Sequence, residues 1–284
     1  MPATFIATAP AAVLTGMKMQ IDASANQLTG RPVMVCSFPK AGTYLVAELL
    51  KGMGCKPTGL HLLVNRVSDY SSVSIDQART QNQQLTTSRS FDEVLPLIRH
   101  GHFAVSHLVA DERVQRALAD FHVIFVYREI RATFLSHMRF FLATERKTAG
   151  KDLWKDLPEG PEMAVAAFDD FGAAHTKMCQ RMVAWLDAPG VLAISFEELI
   201  GDYGEAAAVG AARRLIEFCE PINSEIDTGI LLSSAIATRT LSSSGARTDV
   251  ARYWSDALEE RLREAGGLTI NQRLGYPPSW RTSL

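Results

Sequence analysis

Lys40, Gly42 and Thr43 stand where an apolar run, residues 33–38, meets an amphipathic stretch that begins at about Thr43. A helix starting there leaves its first backbone N–H groups without intrahelical partners and sets the positive end of its dipole at the same point, which is how an anion site is built. The Lys40 ammonium and the Thr43 hydroxyl would reinforce it. The spacing is not that of the common nucleotide P-loop, which needs Gly, four residues, then Gly-Lys-Ser/Thr. Here Lys40 precedes Gly42, and no second glycine lies at the required distance. Arg128 closes a second apolar run, residues 121–127, and Ser136 follows eight positions later within a helical period. A guanidinium fork and a hydroxyl donor so placed could grip a phosphate. His107 ends a third strand-like run, residues 103–106, and imidazole, titrating near neutral pH, suits a general base. Each group also has a plainer reading: a solvated corner lysine, an arginine paired with Glu129 or Asp120, a packed histidine, a helix-surface serine.

The order Phe38-Pro39-Lys40-Ala41-Gly42-Thr43-Tyr44-Leu45 resembles the 5′-phosphosulfate loop of the sulfotransferases that use 3′-phosphoadenosine 5′-phosphosulfate (PAPS), usually Tyr-Pro-Lys-Ser-Gly-Thr-Thr/Asn-Trp. Pro39, Lys40, Gly42 and Thr43 match. Phe38, Ala41, Tyr44 and Leu45 replace the Tyr, Ser, second Thr and Trp. Arg128 and Ser136, followed by Phe140 and Phe141, are similar to the family's 3′-phosphate segment, although Glu129-Ile130 stands in place of its Asn-Pro. Val105-Ser106-His107-Leu108 is similar to the family's Lys-Thr-His-Leu, which implies His107 as the base and leaves Lys40 without the help of a second lysine. Phe196, after residues 191–195, resembles the tyrosine that reaches the adenine, and would keep the stacking without the hydroxyl. Residues 243–249 can be laid on the family's Arg-Lys-Gly segment. Only Gly245 matches there, Ser243 and Ser244 replace the basic pair, and Arg247 is the nearest cation.

The resemblance implies catalysis by His107 and Lys40. It implies donor binding by Lys40, Ala41, Gly42, Thr43, Tyr44, Arg128, Ser136, Phe196, Ser244, Gly245 and Arg247. It further implies transfer of a sulfuryl group from PAPS to a hydroxyl or amine of a small-molecule acceptor, with 3′-phosphoadenosine 5′-phosphate (PAP) as product and no metal. Two other classes remain open: a nucleotide-dependent kinase on a related P-loop fold, and a non-catalytic nucleotide-binding or scaffold protein of this fold.

The elements that must position these groups read as an α/β alternation. Strands are expected at 33–38, 103–106, 122–127 and 191–195, with helices near 43–54, 91–99, 111–119, 131–143, 161–187 and 206–220. Such alternation predicts a mainly parallel central sheet flanked by helices, the P-loop-like sulfotransferase fold, with ligands at the carboxyl ends of the strands. Residues 65–90 and 147–162 are polar, without strong period, and are expected to rim the acceptor site. His61, just beyond the first helix, is the second candidate base. The chain has 284 residues, 47% of them apolar, enough for one substantial core: an irregular arm at 1–30 and a single domain at 31–284. A net charge of −2 provides no field for a nucleic-acid polymer, so the anion site must be local. Four widely spaced cysteines without metal-ligand spacing read as thiols of a reducing, cytoplasmic compartment. The first residues lack a basic leader and are too weakly apolar for a membrane span.

Overall fold

All five residues of β1, Val33–Ser37, are buried, because the strand is covered on both faces. Val33 and Val35 face one apolar layer, and Met34 and Cys36 face the other, the period of two that turns a doubly covered strand into a continuous apolar run. The computed structural model describes residues 30–282 except 64–65, 75–76, 78–84, 88, 145–147, 149, 220–225 and 239–249.

From β1 the chain enters α1 (Thr43–Gly52), then β2 (Lys56–Leu63), β3 (Arg66–Asp69), β4 (Thr86–Thr87), α2 (Phe91–Val94), β5 (His102–Ser106), α3 (Glu112–Ala117), β6 (His122–Tyr127) and α4 (Ile130–Thr144). Next come α5 (Pro161–Ala167), a π-helical turn (Phe168–Gly172), α6 (Ala173–Met182), β7 (Val191–Ser195), α7 (Phe196–Leu199), α8 (Glu205–Cys219) and α9 (Thr228–Ala237). The helices α10 (Val250–Tyr253), α11 (Asp256–Glu264) and α12 (Gly267–Arg273) complete the order.

The described strands form one sheet in the order β4-β3-β2-β5-β1-β6-β7. β2, β5, β1, β6 and β7 are parallel, while β3 and β4 add an antiparallel edge. The four expected strands and the mainly parallel sheet are present. The connection from β1 runs to one side, to β2, whereas that from β5 crosses to β6 on the other. The carboxyl end of β1 is therefore the switch point where such sheets bind ligands.

β2, β3 and β4 were not among the expected strands, and residues 65–90 are partly an edge of the sheet rather than only a rim. The reason is local: the pairing of β2 with β5 slips between Pro57 and His61, and this bulge destroys the alternation by which a strand is read. Gly59 permits it at φ 75°, where a Cβ would lie 2.5 Å from the Ser71 backbone. All four cysteines are free thiols, and no helix among the described residues is long and apolar enough to cross a membrane. The arm at 1–29 lies outside the described residues.

Candidate functional site

The turn between β1 and α1 is bent by two residues of positive φ, Lys40 at 69° and Gly42 at 94°. For a lysine this conformation costs about 1–2 kcal/mol, strain of the sort found at ligand sites. Gly42 is required for a second reason: a Cβ there would meet the Phe196 ring at 2.5 Å. The turn closes with Ala41 N–H donating to the Phe38 carbonyl, and α1 begins with Leu45 and Val46 donating to the Gly42 carbonyl. The amides of Gly42 and Thr43 hydrogen-bond to no described residue, so the open N–H groups expected at this helix start are in place. The Thr43 hydroxyl lies 2.5 Å from the Ser37 hydroxyl. The Lys40 ammonium sits 4.1 Å from the centroid of the Phe140 ring on α4, a cation–π contact.

His107 is fixed from three directions. Its N–H donates to the Leu62 carbonyl at 3.0 Å, and the next carbonyl, that of Leu108, accepts from the Trp185 indole at 2.9 Å. Its Nδ1 lies 2.7 Å from the Ser37 carbonyl. A carbonyl only accepts, so Nδ1 carries the proton and Nε2 keeps its lone pair, the tautomer a base requires. Burial, opposed by the Ser37 carbonyl and assisted by the charge of Lys40, lowers His107 to about 4. Beside it, with ring centroids 4.6 Å apart, His61 packs edge-on from β2, and its Nδ1 lies 3.1 Å from the Tyr44 hydroxyl. Thus Tyr44, in the first turn of α1, brings its side chain to the histidine pair. Tyr70, 6.5 Å from the His61 ring, extends this aromatic wall.

Arg128 follows β6 directly. Its guanidinium carbon lies 4.3 Å over the Phe196 ring, so Phe196 touches both Gly42 and Arg128. Of the partners weighed from sequence, neither Glu129 nor Asp120 pairs with it. Its nearest carboxylate is Glu197, with Oε1 3.7 Å from Nε, and Nε is buried without a hydrogen-bond partner. Burial lowers the guanidinium from its usual range, against the charge of Glu197. Ser136 is half-buried on α4 and hydrogen-bonds to no described residue, Arg128 included. Where the family's Asn-Pro is missing, the start of α4 is held by Asn271 of α12, whose Oδ1 accepts from Ile130 N–H at 2.9 Å.

The parallel strands thus bring Lys40, Ala41, Gly42, Thr43, Tyr44, His107, Arg128 and Phe196 to one edge of the sheet. Ser243, Ser244, Gly245 and Arg247 lie outside the described residues. Glu197 and Tyr276 were missed from sequence. Glu197 had a signal, as an acid directly after a parallel strand and Phe196. Tyr276, whose hydroxyl donates to Glu197 Oε2 at 2.6 Å, had none, since it arrives from the far end of the chain.

No protein-family model matches the sequence, and a search of curated proteins finds no relative. Among solved structures, the chain is similar to mouse sulfotransferase SULT7A1 complexed with PAP, at 15% identity and a TM-score of 0.50 over 86% of this chain and 88% of that one. It is also similar to retinol dehydratase in complex with androsterone and the inactive cofactor PAP, at 13% identity and a TM-score of 0.52 over 85% and 80%. With its switch point at β1 and its strand-turn-helix at Lys40, this chain has the fold of the PAPS-dependent sulfotransferases.

Proposed function

We propose that the protein is a sulfotransferase that moves the sulfuryl group of PAPS to a hydroxyl or amine of a small-molecule acceptor. The observation that carries this reading is His107: an imidazole held by the Ser37 carbonyl at 2.7 Å as the Nδ1–H tautomer, directly after the strand that pairs with β1 beside the Lys40 turn. The residues fit a nucleotide with anionic groups at both ends. The open amides of Gly42 and Thr43 and the Lys40 ammonium suit one, and the Arg128 guanidinium, with its orphaned Nε, suits the other.

PAPS supplies an activated sulfuryl group on a phosphate leaving group. His107 Nε2 takes the proton of the acceptor as its oxygen or nitrogen forms the new bond to sulfur and the sulfur–oxygen bond to phosphate breaks. Lys40 and the α1 amides stabilise the negative charge gathering on the departing oxygen, the preorganised electrostatics that dominate related transfers. Donor phosphates beside Lys40 offset the cation that helps depress His107, so binding moves the imidazole upward toward a working range. The aromatic wall of His61, Tyr70 and Tyr44 suits an acceptor with an apolar body.

Transfer from radiolabelled PAPS to a panel of small hydroxyl and amine acceptors tests the reading. Turnover by wild type, reduced about 10²–10⁴-fold in His107→Ala with PAP affinity retained, is expected. Turnover that requires Mg-ATP instead, or equal activity in His107→Ala, would overturn it.

A further inference from the structure

Glu197 is an odd neighbour for a phosphate-binding arginine. Its carboxylate and the Arg128 side chain are only 13% and 12% exposed, and their 3.7 Å separation is too long for a hydrogen bond. The carboxylate is instead held by Tyr276, through the 2.6 Å bond to Oε2, and loosely by the Glu129 N–H, 3.5 Å from Oε1. The groups around it are mostly acidic or neutral. They are Tyr127 at the end of β6, Glu129 beside Arg128, Glu198 on α7, Asp202 and Tyr203 in the turn that follows, and Tyr276 after α12. The other nearby cation among the described residues, Arg214 of α8, is engaged at 2.9 Å with Glu198. A phosphate dianion arriving on Arg128 therefore meets a covered carboxylate for which no other described cation compensates.

We propose that Glu197 makes the Arg128 site a proton-linked phosphate site, in which docking of a nucleotide's second phosphate is accompanied by uptake of one proton on Glu197. This rests on the reading that a nucleotide binds here. The protonated carboxyl keeps its bond from Tyr276 on Oε2 and turns the Oε1 side from a repelling acceptor into a donor. Burial already raises Glu197 from the usual carboxylate range, the direction that favours this change.

Calorimetric titration of the full chain with PAP and with 5′-AMP, which lacks the second phosphate, tests it between pH 6 and 8. Buffers of different ionisation enthalpy count the protons taken up. PAP affinity is expected to fall by up to about tenfold per pH unit with proton uptake. 5′-AMP binding, which reports Lys40 and His107, is expected to lack this component. In Glu197→Gln, a shape-conserving change, the PAP profile loses that component and keeps the titrations of the phosphate itself and of His107. Tyr276→Phe, which removes the bond favouring the carboxylate, moves the transition to higher pH. Identical PAP profiles and proton counts in wild type and Glu197→Gln would overturn the inference while leaving the nucleotide reading intact. Absence of PAP binding to wild type at every pH would overturn both.

Discussion

Arg128 and Arg131 lie three residues apart at the same end of the sheet, and the structure treats them in opposite ways. Arg131 is fully buried and spends its guanidinium on the protein. Nε and Nη2 form a fork on Glu259 at 2.9 and 2.7 Å, Nη1 reaches Glu129 at 2.5 Å, and the carbonyls of Pro277 and Pro278 accept two longer bonds. Glu259 is held in turn by the Trp254 indole at 2.7 Å. Arg128 has no hydrogen-bond acceptor among the described residues, only a ring beneath it and a carboxylate out of bonding range. The difference supports the proposal that Arg131 serves the fold and Arg128 a ligand. A buried guanidinium with complete bonding ties elements together, here α4 to the last helices, while one with open donors is suited to an anion.

The contrast breaks most visibly if Arg131 is removed. Arg131→Met leaves Glu129 and Glu259 buried without their cation, and a loss of about 3–5 kcal/mol is expected in denaturant unfolding. A loss below about 1 kcal/mol would mean that the network does not staple the C-terminal helices.

Acid should separate satisfied from unsatisfied groups on the histidine side of the site. Burial lowers His107 to about 4, and it lowers His175, bonded to Thr133 and His137, to about 3, with the His107 charge adding to the effect. Below about pH 6.5 the unfolded chain takes up protons that the folded chain refuses until these lower values. Stability is therefore expected to fall as pH falls through this window, by at most about 1.4 kcal/mol per pH unit for each histidine. Melting temperatures from pH 7 to 5 check this, and a His175→Gln variant should flatten the slope.

The smallest effect sharpens the comparison at Glu197. The Ser195 hydroxyl caps α7 by accepting from Glu198 N–H at 3.1 Å, with Glu198 reaching back to the Ser195 N–H at 3.0 Å. Ser195→Ala is expected to cost about 1 kcal/mol in unfolding and to weaken PAP binding modestly, since α7 carries Phe196 and Glu197.

Much of this was legible in the sequence because doubly buried strands are written as apolar runs. Residues 33–37, 103–106 and 122–127 announce themselves, the half-buried edge strand 191–195 is as apolar, and each hands a chemically marked residue to the same edge. The placement of Lys40, His107 and Arg128 together follows once those strands are parallel. β2 to β4 were not legible, because a bulge at Gly59 and polar edge positions erase the period. The helix Thr228–Ala237 was also missed. Nor could the Arg128–Glu197–Tyr276 contact be read, since it joins the ends of two neighbouring strands to a residue beyond the last helix. His61 was read as the second candidate base, near the rim, and the slipped pairing of β2 is what sets it against His107.

The most direct test of the account is a calorimetric titration of wild type, Lys40→Ala and Arg128→Ala with PAP, each first checked by thermal melting. Micromolar binding by wild type is expected, weakened at least about tenfold in both variants, as loss of charged hydrogen bonds implies. Arg128→Ala should melt near the wild-type temperature. Absence of wild-type binding, or equal affinity in all three proteins, would contradict the account.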